Sequence, residues 1–300
     1  MEPERKSRLV RIGRRVAWAA VIAAGSAALG TVGFAMKTRG APQRALTPVP
    51  QGTPREHAEG PLRVLSYNVA HGRGEAFHQA TLERARIDAN LSAIAGVLRR
   101  EEPQVVALQE ADGPSWWSGR FDHVESLRGA SDQALALRAA NVSGLGLSYG
   151  TALLSQLPCE AAEQRTFPAT PPTLSKGFVR ATLRAWGGEV DVVSVHLDFA
   201  RQSKREEQLA VLAESLVAGR PTILLGDFNC SWQRLRPWAE RHGFRAESEL
   251  NPDLVTFPAH GRRLDWILVS EGLVLRKLRA LPDRHSDHLA LVGEVEPLSR

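Results

Sequence analysis

Apolar runs bounded by turn residues recur from Leu62 to the C-terminus: LRVLSYN, VVALQE, YGTALLS, VDVVSVHL, TILLGDFN, LDWILVS and HLALVGEV. Runs of this length, rich in Val, Ile and Leu, predict β-strands. Between the first two, Ile87, Leu91, Ile94 and Leu98 repeat at spacings of four and three, which predicts one apolar helical face closed near Pro103. A second helix is expected after Ser203, whose hydroxyl would cap the first turn while Glu206 completes a capping box. Leu209, Leu212 and Leu216 would point inward and Gly219 would stop it. The class is α+β, with many strands and few helices.

Against this pattern the polar residues stand out by position. Asn68, Glu110, His196, Asp227 with Asn229, Asp265, and Asp287 with His288 each fall at or near the end of an expected strand. One such residue alone is more often a turn former or a satisfied hydrogen-bonding group. Their recurrence points to a shared cleft, because strand ends of packed sheets converge while the core supports them.

Composition changes the picture at the N-terminus. The chain has 300 residues, a formal charge of +5 and a pI near 9.7, which by themselves suggest an acidic partner. Residues 1–60 hold ten Lys/Arg and four Asp/Glu, leaving 28 against 29 for residues 61–300. The basicity belongs to the leader, and the cheapest argument for DNA binding goes with it. Residues 1–15 carry Arg5, Lys6, Arg8, Arg11, Arg14 and Arg15, and residues 16–36 are uncharged and long enough to cross a bilayer core of about 30 Å. The charge bias would keep the N-terminus in the cytoplasm and export the rest. The expected reading is an uncleaved membrane anchor. A cleaved signal peptide is the alternative, with Gly33 and Ala35 as the small residues of its cleavage site. Either way the domain is expected outside the cytoplasm.

Residues 37–61 are rich in Pro, Gly, Gln and Thr and read as a solvated, flexible linker, with the folded domain expected over 62–300. Cys159 and Cys230 are the only cysteines; an exported compartment permits a disulfide, and two buried free thiols are the other reading. There is no internal repeat and no Gly-rich phosphate loop. His71 and Arg73 in NVAHGRG can bind phosphate or simply form a surface turn hinged on Gly72 and Gly74. Lys176 in SKGFVR can reach a phosphate. Trp116, Trp117 and Phe121 in PSWWSGRFDHV can touch a lipid surface, stack a base or pack under a long loop.

In order along the chain, SYNVAHGRG, VVALQE, YGTALLS, SVHLDF, LLGDFN, RLDWILVS and HSDHLALV resemble the motifs of the endonuclease/exonuclease/phosphatase superfamily. That group includes pancreatic-type DNases, abasic-site endonucleases, bacterial sphingomyelinases and inositol polyphosphate 5-phosphatases. The resemblance covers residues 62 to 296 and implies a four-layer α/β/β/α sandwich with two packed β-sheets, the DNase I-like fold. It implies a metal-dependent phosphoesterase, expected to be a phosphodiesterase and a monomer, using Mg²⁺ with Mn²⁺ as a substitute. By resemblance, Glu110 is the principal metal ligand, supported by Asn68 and Asp287. Asp227 orients or deprotonates the attacking water, Asn229 donates to a phosphate oxygen, His196 and His288 form the histidine pair, and Asp265 holds His288.

Departures narrow the substrate. Ala70 stands where abasic-site endonucleases carry an acidic residue, and CysSer follows GDFN where inositol 5-phosphatases differ. A phospholipid, a small phosphodiester or a nucleic acid remains as the substrate class, with an endonuclease as the alternative activity. The rival of another class is a non-catalytic module that binds a phospho-ligand. It is disfavoured because every metal and acid–base position of the motifs is filled.

Overall fold

The computed structural model describes residues 31–298 except 49, 58, 248–250 and 252. Its strands are β1 (Gln43–Leu46), β2 (Leu62–Asn68), β3 (Val105–Asp112), β4 (Leu135–Arg138), β5 (Val142–Gly144), β6 (Leu147–Ser155), β7 (Cys159–Thr166), β8 (Gly177–Ala185), β9 (Gly188–His196), β10 (Thr222–Asp227), β11 (Phe244–Arg245), β12 (Asp265–Ser270), β13 (Leu273–Ala280) and β14 (Leu291–Pro297). The main helices are α1 (Arg84–Glu101), α2 (His123–Ala130), α3 (Gln202–Ala213) and α4 (Trp232–Arg241). One sheet has the order β13-β14-β2-β3-β6-β4 with β5 on β6, and the other β1-β7-β8-β9-β10-β12-β11.

Alternation explains how these sheets stack. On β2, Leu62 and Val64 face the other sheet, while Leu65 and Tyr67 face α1. On β10, Ile223 and Leu225 enter the same central core, while Leu224 joins Leu209, Leu212 and Leu235 beneath α3 and α4. Both faces of the central strands are therefore buried, which is why their sequences read as near-continuous apolar runs. The layers are helix, sheet, sheet, helix, the expected four-layer α/β/β/α sandwich.

Local expectations met the structure unevenly. Ile87, Leu91, Ile94 and Leu98 are all buried on α1. The capping box at Ser203 does not form: α3 starts at Gln202 with Arg201 as its N-cap, and no side chain caps it. Asp198 Oδ1 instead accepts the N–H groups of Ala200 and Arg201 just ahead of the helix. Leu216 lies beyond the end of α3. Cys159 and Cys230 are free thiols, one against the central core and one under the outer helices.

The stretch 37–61 corrects the expectation of a free linker. Gly40 N–H donates to Asn141 O at 2.8 Å, β1 pairs antiparallel with β7, Gln51 and Gly52 donate to Ala134 O, and Trp186 N–H donates to His57 O. The physical reason is that the open edge of β7 offers backbone donors and acceptors whatever the side chains of its partner, so composition carried no signal. Residues 31–37 are helical, and Phe34 packs with Trp117 against Val142, Leu147 and Tyr149. Most of the expected membrane span, from 16 to 30, lies outside the described residues, and among the described residues no helix is long and apolar enough to cross a membrane.

Candidate active site

Three adjacent strands of the second sheet bring their ends into one row. Asp227 pairs in register with His196 on the parallel strand β9 and with Asp265 on the antiparallel strand β12. Gly226 makes this closeness possible: its φ is +149°, and a Cβ there would meet Val195 O at 2.0 Å. Phe228 is fully buried under the outer helices and anchors the turn, and Asn229 follows at φ 52°. The GDFN stretch thus ends a core strand by turning its two polar groups back over the strand tips.

The other sheet delivers its groups to the facing edge. Asn68 ends β2, Glu110 follows the residue paired with Asn68 on β3, and Asp287 precedes β14 on the other side of β2. The order β14-β2-β3 therefore brings the three expected metal ligands to adjacent strand ends. Glu110 sits at a register shift in β3 with φ 51°, which turns its side chain into the cleft.

The two edges meet through Asp227. Asn68 Nδ2 donates to Asp227 Oδ2 at 3.1 Å, and the Asn229 N–H donates to Asp227 Oδ1 at 2.9 Å. His196 Nε2 and His288 Nε2 approach Asp227 Oδ2 at 3.4 and 3.8 Å. His288 Nδ1 donates to Asp265 Oδ2 at 2.8 Å, and Phe257 packs on the ring. The buried Thr256 hydroxyl accepts the N–H groups of Leu264 and Asp265, fixing the start of β12.

Electrostatics divide the two histidines. Burial and the Lys176 ammonium push His196 well below the usual imidazole range. Burial also works against a charged His288, but the carboxylates of Asp265 and Asp227 outweigh it and raise the group to about 10. The two rings are pushed in opposite directions, His196 toward the neutral form and His288 toward the cation. Burial, aided by Asp265, raises Asp227 against the pull of His288. For Glu110, burial is outweighed by His71, Lys176, His196 and His288, which hold its carboxyl well below the ordinary range.

A sequence model described as the Endonuclease/Exonuclease/phosphatase family matches residues 65–288. The chain belongs to that family. Among solved members of the fold, an endonuclease/exonuclease/phosphatase from Beutenbergia cavernae shares 21% identity at a TM-score of 0.64, covering 80% of this chain and 72% of its own. One from Bacteroides vulgatus has 13% identity at 0.64, covering 80% and 100%. TDP2 from Caenorhabditis elegans has 15% identity at 0.61, covering 79% and 75%. At these identities the likeness establishes the fold. No curated protein matches the sequence.

Within this endonuclease/exonuclease/phosphatase site, the expected residues carry partners that the sequence did not reveal. One amide hydrogen of Asn229 is committed to Leu197 O at 3.0 Å, bracing the loop after β9. Asp287 already holds a counter-ion, because Arg73 Nη2 donates to it at 2.5 Å. Lys176, just before β8, puts Nζ 3.5 Å from both Glu110 and His196. Asp112 accepts from His71 and Trp117 and pairs with Ser118, a cluster no motif signalled. The only hint was its place two residues after Glu110.

Family members generally depend on a divalent metal, and the donors here fit one. Glu110 offers ionised oxygens, and Asn68 Oδ1, accepting from Ala70 N–H at 3.1 Å, keeps a second lone pair. Asp227, Asp265 and His288 also bring ligand atoms within 4.8 Å of one another.

Proposed function

We propose that this family member is a divalent-metal-dependent phosphodiesterase acting on small or lipid-borne phosphodiesters outside the cytoplasm, with its N-terminal run as a membrane anchor. The observation that carries the reading is the row His196–Asp227–Asp265, closed by His288. It gathers the His196 ring, the Asp227 carboxyl and the His288 ring around one point, with the two rings pushed in opposite directions.

In this mechanism Asp227 orients the attacking water, with Asn68 and Asn229 fixing its carboxylate. Neutral His196 is placed to accept a proton, and the His288 imidazolium, held by Asp265, donates to a phosphoryl oxygen and steadies the charge that develops there. Pairs of groups whose surroundings push their pKa values apart are the mark of acid–base assignment. Glu110, with Asn68 beside it, would hold the divalent cation, Mg²⁺ or Mn²⁺, which would supply further neutralisation of phosphoryl charge. Lys176 is the cation best placed to hold an incoming phosphate, since Glu110 and His196 fix its Nζ at the cleft.

The preference for a substrate with an apolar part has two supports. Residues 61–300 are near-neutral, whereas duplex DNA is held through Lys/Arg contacts to phosphates. Exposed Phe77 and Phe199 lie in loops after β2 and β9, and exposed Trp116 starts a short 3-10 helix after β3. The test is a panel of plasmid DNA, RNA, sphingomyelin, phosphatidylinositol phosphates and simple phosphodiesters, with and without Mg²⁺. Hydrolysis of lipid or small diesters, lost in Asp227→Ala, is expected. Nicking of supercoiled plasmid at nanomolar enzyme, steeply salt-sensitive, would make the nuclease reading primary.

A further inference from the structure

Beside Glu110 lies a second histidine–carboxylate pair that the mechanism above does not use. His71 Nδ1 donates to Asp112 Oδ1 at 2.7 Å. Asp112 is fully buried, and its other oxygen accepts from Trp117 Nε1 at 2.9 Å and pairs with the Ser118 hydroxyl. The ring is clamped edge-on by Tyr149 and Trp117, at centroid distances of 4.7 and 5.1 Å. Neither its tautomer nor its direction is free: Nδ1 carries the hydrogen toward Asp112, and Nε2 is aimed at Glu110.

The separation on that side is informative. Nε2 lies 3.4 Å from Glu110 Oε2, beyond the roughly 2.7–3.2 Å of N–H···O bonds. Two donors sharing one cation at about 2.0–2.2 Å stand roughly 3.0–3.5 Å apart. Lys176 Nζ stands 3.5 Å from the opposite oxygen of the same carboxylate, Oε1, so that Oε2 faces His71. A histidine that gives its far N–H to a buried carboxylate is the usual support of a metal-ligating imidazole. Ala70 and His71 both have positive φ, 45° and 55°, and Gly72, at 71°, lets the turn press against Ile87, where a Cβ would approach to 2.8 Å. The chain holds an unfavourable conformation where it delivers this ring.

We propose that His71 Nε2 is a ligand of the divalent cation alongside Glu110, with Asp112 as its positioning residue, so that the centre prefers Mn²⁺ or a similar transition-metal ion to Mg²⁺. This rests on the metal-dependent reading above. An imidazole nitrogen suits transition-metal ions, whereas Mg²⁺ takes oxygen and dehydrates reluctantly.

The test uses the full chain and Mn²⁺ alone as the probe. Pulsed electron paramagnetic resonance should show nitrogen coupling to bound Mn²⁺ that changes on ¹⁵N-histidine labelling of the unmutated protein. The coupling should vanish in His71→Asn and His71→Gln, persist in His196→Ala, and be accompanied by a rise in Kd of roughly 10- to 100-fold in the His71 variants. The excess of Mn²⁺ over Mg²⁺ affinity should shrink in the same variants. Mn²⁺ that binds in a Glu110-dependent way without nitrogen coupling, or with coupling unchanged in the His71 variants, overturns this inference and leaves the metal-dependent reading standing. Failure of Mn²⁺ and Mg²⁺ to bind at all overturns both.

Discussion

Asp227 and His196 face each other in register on neighbouring parallel strands, with Nε2 and Oδ2 3.4 Å apart. Backbone pairing, not loop placement, sets that distance, so it inherits the rigidity of the sheet. Gly226 and Val195, one position back on each strand, determine how close the strands come.

Gly226→Ala should therefore disturb both stability and activity. A Cβ 2.0 Å from Val195 O, on a residue at φ +149°, forces the strands apart. The expected loss is about 3 kcal/mol in urea unfolding, with turnover falling by at least about tenfold. A variant as stable and active as the parent would show that the strand approach is not needed.

Asp265→Asn should move the alkaline limb of the pH–rate profile. Asp265 is the largest contributor holding the proton on His288, whose pKa stands near 10 in the folded chain. Removing that carboxylate lowers the value, so activity that needs the imidazolium should fail at a pH at least about one unit lower. The same shift has a stability counterpart. Because the folded pKa is raised, the contribution is complete below the unfolded value of about 6.5 and is lost as pH rises through about 10. Thermal unfolding of parent and variant should converge above that pH.

Glu110→Gln should keep the fold and weaken cation binding, because a neutral amide replaces an ionised oxygen donor. The cation concentration for half-maximal activity should rise by at least about tenfold, measured by titration after EDTA treatment. Full parental activity in EDTA would refute the metal-dependent mechanism itself.

A fragment beginning at Leu62 should be less stable than one beginning at Thr31. The shorter fragment loses β1, the Gly40–Asn141 bond and the Phe34 contact, and exposes the edge of β7. A loss of about 2 kcal/mol corresponds to a melting temperature lower by roughly 4–8 °C for a domain of this size. Calorimetry on the two fragments, with concentration-dependent aggregation of the shorter one, checks it.

Central strands and the α1 face were legible because burial on both sides writes itself into composition: LRVLSYN matches β2 from end to end. Edge strands were not. In β7, CEAAEQRT is half exposed and charged, and its pairing with β1 rests on backbone groups that no side chain announces. At the site, strand ends exposed Asn68, Glu110, His196, Asp227 and Asp265 as polar interruptions of apolar runs. The His71–Asp112 pair stayed hidden because it depends on two residues with positive φ and on a register shift in β3. Spacing along the chain encodes neither.

The docking of residues 31–38 has a consequence for how the enzyme would sample its surroundings. Thr38 O accepts from Ser143 N–H at 2.7 Å, and Phe34 joins the cluster of Tyr149 and Trp117, whose rings touch His71. If the apolar run that begins at residue 16 is held in a bilayer as proposed, the docking of Phe34 and Ala35, near the end of the expected 16–36 span, leaves little chain between the bilayer and the cleft. The domain would then not swing through a hemisphere on a leash. It would patrol a plane at fixed height and tilt, meeting substrates by lateral diffusion, and inserting a flexible spacer ahead of the docked Phe34 would trade that two-dimensional search for a three-dimensional one.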